Sequence, residues 1–352
     1  PLLNRVPKWT PSSGHCGRRG GIRVIMNSLQ EVVQYLREQD DFIVVGHENP
    51  DPDCLGSMLG LYFGLTGLGK TCRVVSADRV PSDLSWPGLD LVEHIPEGFE
   101  PGESCVIVVD CEPDRTGSIS EGVKSAKRLV NIDHHQRGRG IGDIVYVEPS
   151  EAATCMIIYR LLLDLDVVFD QRIATALYGG ILGDTGGFRH TNTNSEVLYI
   201  AGKLLEFGLN PALIAREIFS SQPLGFLRLL GVALSNLQTS QDGQLVWMTV
   251  SYEQFCDFGV DPKSSDHLVS FARMLDTSEI AIVFRETSPG EIRVGLRANH
   301  ADVGSLARHI GGGGHKLASG ATILGDLQEV STKVVEIAEH FLTTGEVNER
   351  CS

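Results

Sequence analysis

The stretch His47-Glu-Asn-Pro-Asp51-Pro-Asp53 sets one imidazole and two carboxylates directly behind the apolar run FIVV. Three more segments end in the same chemistry. Asp110 closes VIVVD, Asp133-His134-His135 closes LVNIDHH, and Asp184 ends ATALYGGILGD before a glycine-rich turn. Carboxylates brought together repel and raise one another's pKa, so a group of four aspartates stays ionised only beside cations. Two divalent ions would balance Asp51, Asp53, Asp110 and Asp184. Hard oxygen donors mixed with imidazole suit Mn²⁺ or Mg²⁺ better than Zn²⁺, which favours thiolates or more histidine. Mn²⁺ is the expected cofactor, with Mg²⁺, Co²⁺ and Fe²⁺ left open.

Each segment alone also has an ordinary reading. His47 can be a capped loop histidine, Asp53 a helix N-cap, Asp110 a turn residue and the DHH triplet a solvated strand end. Four such segments at the same ends of successive strands, with apolar flanks, point instead to a shared metal site.

The elements that must position them follow from periodicity. After position 26 the pattern gives a helix to residue 37, a strand at 42–45, a helix at 54–65, and strands at 72–76, 105–109 and 129–132. Short β-branched runs alternating with helical periods indicate an α/β fold, a doubly wound and mainly parallel sheet. Ligands of such sheets bind beyond the carboxyl ends of the strands, where these acidic residues collect. This domain is expected over residues 26–215.

Helices follow, one capped by Ser150, then 171–183, 194–207, 211–220 and 223–237, with 216–240 read as a helical linker. A smaller α+β domain is expected over 241–345. It has strands at 245–251, 280–286 and 291–298, and helices at 266–275, 303–310 and near 327–342. Residues 1–25 carry five basic residues, no acid and several Pro and Gly, and read as a disordered extension.

Bulk composition narrows the partners. At 352 residues, 42% hydrophobic, the chain exceeds what one core usually fills. A net charge of -15 is the wrong sign for coating a long nucleic acid through its phosphates. A polyanionic substrate should therefore be small or gripped locally. Eight cysteines without a Cys-x-x-Cys pair suit a reducing cytosol, and the longest uncharged apolar runs are too short to cross a bilayer. A soluble, cytoplasmic protein is expected. The segment GLTGLGKT at 64–71 matches the P-loop expression letter for letter, but it closes a helix and leads into a strand, the reverse of a P-loop. Its glycines read as a helix stop.

Five ordered segments carry a resemblance. HENPDPDCLGS, VIVVDCEPDRTG, NIDHH and GGILGDTGGFRHTNT resemble the four motifs of the DHH phosphoesterase family, and GGGGHKLASG resembles the hallmark of its DHH-associated domain of the first type. Within that family the likeness is greatest to bacterial members that degrade very short RNA. The resemblance implies that His47 and Asp51 hold one metal, that Asp53, His134 and Asp184 hold the other, and that Asp110 bridges both. Pro52 stands where many relatives have glycine; it stiffens the loop without removing a ligand.

A two-metal site, with ions about 3.5–4 Å apart, activates a bridging water and neutralises charge building on phosphorus. Asp133 would orient a histidine, and His135 would contact the phosphate or protonate the leaving oxygen; otherwise His135 is a packed neighbour. The resemblance also implies that Arg297, Gly312, Gly313, Gly314 and His315 grip the phosphate end of a short nucleotide, a salt bridge being the other reading of Arg297. Arg115 and Arg189 stay outside the candidate site.

The implied activity is metal-dependent hydrolysis of short single-stranded RNA, dinucleotides to pentanucleotides, to mononucleotides, with 3'-phosphatase activity on 3'-phosphoadenosine 5'-phosphate (pAp). Two alternatives stand beside it: cleavage of linear or cyclic dinucleotide signals such as pApA or c-di-AMP, and a nucleotide sensor that binds without cutting. No long duplex nucleic acid and no membrane is expected as partner, and a homodimer is left open.

Overall fold

The computed structural model describes residues 27–81, 84–135, 141–220, 222–265 and 268–345. The expected extension at 1–25 lies outside the described residues, as does the start of the helix expected at 266. The chain divides into two compact units, 1–221 and 222–352.

In the first unit the chain runs α1 (Leu29–Glu38), β1 (Phe42–Val45), α2 (Pro52–Gly67), β2 (Cys72–Ser76), β3 (Val92–His94), β4 (Cys105–Val109), α3 (Ser120–Lys124), β5 (Arg128–Asp133) and β6 (Ile144–Val147), then the helices α4 (Thr154–Asp164), α5 (Gln171–Asp184), α6 (Ser195–Leu205) and α7 (Pro211–Phe219). The six strands form one sheet in the order β3-β2-β1-β4-β5-β6, and every pairing is parallel. The runs FIVV and CVIVV are buried throughout, as expected of strands covered on both faces. Phe42 and Val44 join one core with Leu55, Met58 and Leu177, while Ile43 and Val45 join the opposite one with Val106, Val108 and Ile119. The sheet is thus doubly wound, and its order reverses between β1 and β4, the place where such folds open a crevice.

Two local expectations are corrected. The helix expected to be capped by Ser150 starts at Thr154, and its N-cap residue, Ala153, offers no side chain to cap it. The N-cap of α2 is Asp51, with Pro52 in the first turn, so Asp53 lies inside the helix. The P-loop look-alike is the end of α2, where Gly69 at φ 81° turns the chain toward β2.

The second unit comprises α8 (Leu224–Ser235), β7 (Gln238–Thr239), β8 (Leu245–Val250), α9 (Tyr252–Phe258), α10 (Leu268–Ala272), β9 (Ile280–Ser288), β10 (Glu291–Ala298), α11 (Val303–His309), β11 (Gly313–Gly314), β12 (Ala318–Leu324) and α12 (Leu327–Thr344). Its sheet runs β11-β12-β10-β9-β8-β7, with β8 and β9 parallel and the other pairs antiparallel. One face packs on α11 and α12 through Leu306, Val334 and Phe341. The other packs on α8 through Phe226 and Leu229, so this helix, read from the sequence as part of the 216–240 connection, belongs to the core of the second unit. Among the described residues, no single helix is long and apolar enough to cross a membrane.

Candidate metal centre

The carboxyl ends of β1, β4 and β5 and the N-terminus of α2 meet at the point where the sheet order reverses. His47 Nδ1 lies 2.7 Å from the Glu48 carbonyl, which leaves Nε2 to face Asp51 Oδ1 at 3.7 Å and Asp110 Oδ2 at 3.5 Å. His134 repeats the arrangement. Its Nδ1 lies 3.2 Å from the Glu151 carbonyl, and Nε2 faces Asp184 Oδ2 at 3.2 Å, Asp110 Oδ1 at 3.6 Å and Asp53 Oδ2 at 4.0 Å. Donation of Nδ1–H to a carbonyl fixes the tautomer in which Nε2 can bind a metal. All six residues expected as ligands are therefore brought together, with Asp110 between the two histidines.

The backbone is bent to achieve this. Asp110 sits at φ 63°, a left-handed conformation that is costly for a non-glycine residue and is found at functional sites. Buried Asn131 donates from Nδ2 to the Cys111 carbonyl at 2.7 Å, holding the turn that carries Asp110. Asp184 is the last residue of α5, followed by Gly186 and Gly187 at positive φ.

Asp53 is fully buried, and its carboxylate accepts the Thr154 N–H at 2.7 Å and the Cys155 N–H at 2.9 Å. These are the first two amides of α4, so a carboxylate from α2 caps the helix that lacks its own cap. A helix N-terminus favours a negative charge there. The Thr154 hydroxyl donates to Asp110 Oδ1 at 2.9 Å, so one residue steadies two of the carboxylates.

Electrostatics show what this concentration of charge costs without a cation. Burial, then the neighbouring Asp53 carboxylate, pushes Asp110 well above the usual carboxylate range. The same two causes raise Asp184 to about 6. Burial opposes a charge on His134, but the Asp184 hydrogen bond and the charges of Asp53 and Asp184 outweigh it and raise His134 to about 10. Burial opposes a charge on His47 as well, and the Cys54, Asp110 and Asp51 side chains around its ring hold it above the ordinary histidine range. Protons are thus retained where cations would replace them. Donor atoms of Asp53, His134 and Asp184 lie within 4.8 Å of one another, as do those of Asp110, His134 and His135, and those of His47, Cys54 and Asp110. Convergent donors of this kind, nitrogen and oxygen apart from the Cys54 sulfur, fit divalent cations.

Asp133 stands apart from the cage. Its Oδ1 accepts the backbone N–H groups of His134 and His135 at 2.7 and 3.1 Å, and it lies 2.8 Å from His135 Nδ1. That contact pins the His135 ring and keeps Asp133 below the usual carboxylate range against the opposing effect of burial.

The second unit holds a separate pocket of about 490 Å³ lined by Arg285, Arg293, Arg297, Gly311, Gly312, Ser319 and Thr322, among others. Arg293 and Arg297 lie on the same face of β10, and Arg293 pairs across to Arg285 of β9. Of the expected substrate contacts, Arg297 and Gly312 line this pocket, whereas Gly313, Gly314 and His315 do not. The glycine run is needed by the sheet itself. A Cβ on Gly312 would meet the Gly320 carbonyl at 2.1 Å, and one on Gly314 would meet Ser319 Cα at 2.5 Å.

Sequence reading missed Thr154, Asn131, Arg285, Arg293 and Cys54. Arg-x-Gly-x-Arg over 293–297, at the spacing of one strand face, was a usable signal for Arg293. Thr154 gave none, because its role depends on two carboxylates distant in sequence.

Comparison with known proteins agrees with this architecture. Residues 41–181 match the DHH family, N-terminal domain, and residues 244–344 match the DHHA1 domain. The chain is 33% identical over 307 residues to a bifunctional oligoribonuclease and PAP phosphatase, NrnA, of Thermus thermophilus, covering 85% of this chain and 90% of that protein. It is 27% identical over 297 residues to the protein of the same name in Bacillus subtilis, covering 83% and 92%. Among solved structures, an exopolyphosphatase-related protein from Bacteroides fragilis superposes with a TM-score of 0.81 at 25% identity, covering 89% of this chain and 96% of that one. The chain therefore belongs to the DHH family of phosphoesterases, with a DHH domain followed by a DHHA1 domain.

Proposed function

We propose that this phosphoesterase hydrolyses RNA fragments of two to five nucleotides to mononucleotides and removes the 3'-phosphate of pAp. The observation that carries the reading is the convergence of His47, Asp51, Asp53, Asp110, His134 and Asp184 on one site, with His47, Asp53 and Asp110 buried, in a chain 33% identical to a relative named for both activities. His47, Asp51 and Asp110 would hold one divalent cation and Asp53, His134, Asp184 and Asp110 the other, with Mn²⁺ the ion favoured by the oxygen and imidazole donors taken alone. Bound there, the cations supply a water made acidic and charge to offset that growing on phosphorus.

The rest belongs to the chain's own groups. Asp133 fixes Nδ1 of His135, so Nε2 is the atom left to donate a proton to the leaving oxygen. Thr154 and the α4 amides keep Asp110 and Asp53 in place as substrate arrives. In the second unit Arg285, Arg293 and Arg297 offer planar guanidinium donors suited to a terminal phosphate, with Gly312 in the wall and His315 nearby in sequence. A -15 protein with one local cluster of arginines suits a short substrate better than a long one. Among the described residues six cysteines are free, four of them buried, which suits a reducing cytosol.

The test is to incubate purified protein and Mn²⁺ with labelled diribonucleotides to pentaribonucleotides, a long single strand and pAp, separating products by chromatography. Mononucleotides from the short RNAs and adenosine monophosphate from pAp are expected. Cleavage of pApA or c-di-AMP alone would favour the signalling substrates, and binding with no product would favour a sensor; either result overturns the proposal.

A further inference from the structure

The preference for Mn²⁺ rests on a donor set of oxygen and imidazole alone, and the folded chain adds a sulfur to it. Cys54 is fully buried at the start of α2, next to Asp53, and its Sγ lies within 4.8 Å of donor atoms of both His47 and Asp110. The His47 ring has committed Nδ1 to the Glu48 carbonyl, so the nitrogen left for a metal is Nε2. Besides these groups, the thiol donates weakly to the Met58 thioether, with the two sulfurs 3.7 Å apart. Among the described residues, no thiol joins the grouping of Asp53, His134 and Asp184.

We propose that Cys54 is a thiolate donor to the metal position built on His47 and Asp110. That position then takes a borderline ion such as Zn²⁺, Co²⁺ or Fe²⁺ in preference to Mn²⁺, whereas the position on Asp53, His134 and Asp184 keeps a harder one. Thiolate selects softer ions and carboxylate harder ones, so the two positions of one cage differ in kind. On binding, the thiol proton leaves to solvent and the sulfur lone pair forms the bond to the metal; no oxidant or reductant is involved. This inference rests on the metal-centre reading above and deepens it.

Cobalt distinguishes the two claims, because thiolate bound to Co²⁺ gives an intense near-ultraviolet charge-transfer absorption that oxygen and nitrogen donors do not. The full-length protein loaded with Co²⁺ should show this band and about two cobalt ions per chain by elemental analysis. Cys54→Ser should bind cobalt without the band, and Cys256→Ser, an exposed site in the second unit, should keep it. Zn²⁺ affinity should fall at least 10-fold in Cys54→Ser while Mn²⁺ affinity changes less than about 3-fold. Full cobalt occupancy without the band in the wild type overturns the role of Cys54 and leaves the metal centre standing. A chain that binds no cobalt, zinc or manganese overturns both. Should Cys54→Ser fail to fold, the wild-type spectrum alone decides, and the ¹¹³Cd resonance of the cadmium-loaded wild type, shifted downfield by sulfur, is an independent reading.

Discussion

Asp53 and Thr154 stand 101 positions apart, yet the Asp53 carboxylate accepts the Thr154 N–H at 2.7 Å while the Thr154 hydroxyl donates to Asp110 at 2.9 Å. One threonine thereby couples the N-terminus of α4 to two carboxylates of the cage. Thr154→Val deletes the hydroxyl and keeps the amide. Mn²⁺ affinity should drop about 10- to 100-fold, as for loss of a group that braces a ligand, and Thr154→Ser should restore it. Calorimetric titration measures this, and an unchanged affinity in Thr154→Val contradicts it.

The raised pKa of His134 makes the stability of the metal-free protein depend on pH. A histidine raised to about 10 contributes stability that is complete below its unfolded value near 6.5 and is lost as pH rises toward 10. Asp184, raised to about 6, adds a decline at lower pH, from its unfolded value near 4 upward. With EDTA present, denaturant melts between pH 7 and 9 should show the wild type losing stability more steeply than His134→Gln. Equal slopes would count against the charge balance described here.

In the proposed reaction Asp133 and His135 serve proton delivery and not metal binding, with His135 Nδ1 2.8 Å from Asp133. His135→Gln should lower kcat about 10²- to 10⁴-fold, the usual worth of a positioned acid, while metal content stays at the wild-type value. Asp133→Asn should lower kcat by less and distort its pH profile, since the ring remains but its Nδ1 partner changes. Loss of metal in His135→Gln would move that residue into the ligand set.

Legibility in the sequence varied with the range of the interaction. The parallel sheet could be read because FIVV and CVIVV are continuous apolar runs, and each candidate ligand stands at the end of such a run or of a helix. The cap of α4 could not, since Ala153 carries no signal and Asp53 reaches it only after folding. The three-residue strand β3 is mostly exposed and has no apolar run to mark it. β12 was equally hidden, because its ASG start lacks β-branched residues and its register is set by pairing with β10. Cys54 stayed hidden for a related reason: one cysteine among eight gains meaning only beside His47 and Asp110.

The arginine pocket predicts a separation of binding from chemistry. Removing one hydrogen-bonded charged partner costs about 1.5–3 kcal/mol, so Arg293→Ala should raise KM for phosphate-ended dinucleotides roughly 10-fold or more. Turnover of bis-p-nitrophenyl phosphate, which carries no terminal phosphate to anchor, should remain near the wild-type rate. Steady-state kinetics on both substrates tests this; equal losses on the two would assign Arg293 a structural part.

A manganese-soaked crystal, with anomalous scattering recorded at the metal edge and the ion count checked by elemental analysis, reports most directly on the cage itself. Two peaks are expected, one against His47 and Asp51 and one against Asp53, His134 and Asp184, both in reach of Asp110. Peaks elsewhere in the molecule, or none beside His134 and Asp184, would contradict the account of how this chain hydrolyses phosphate esters.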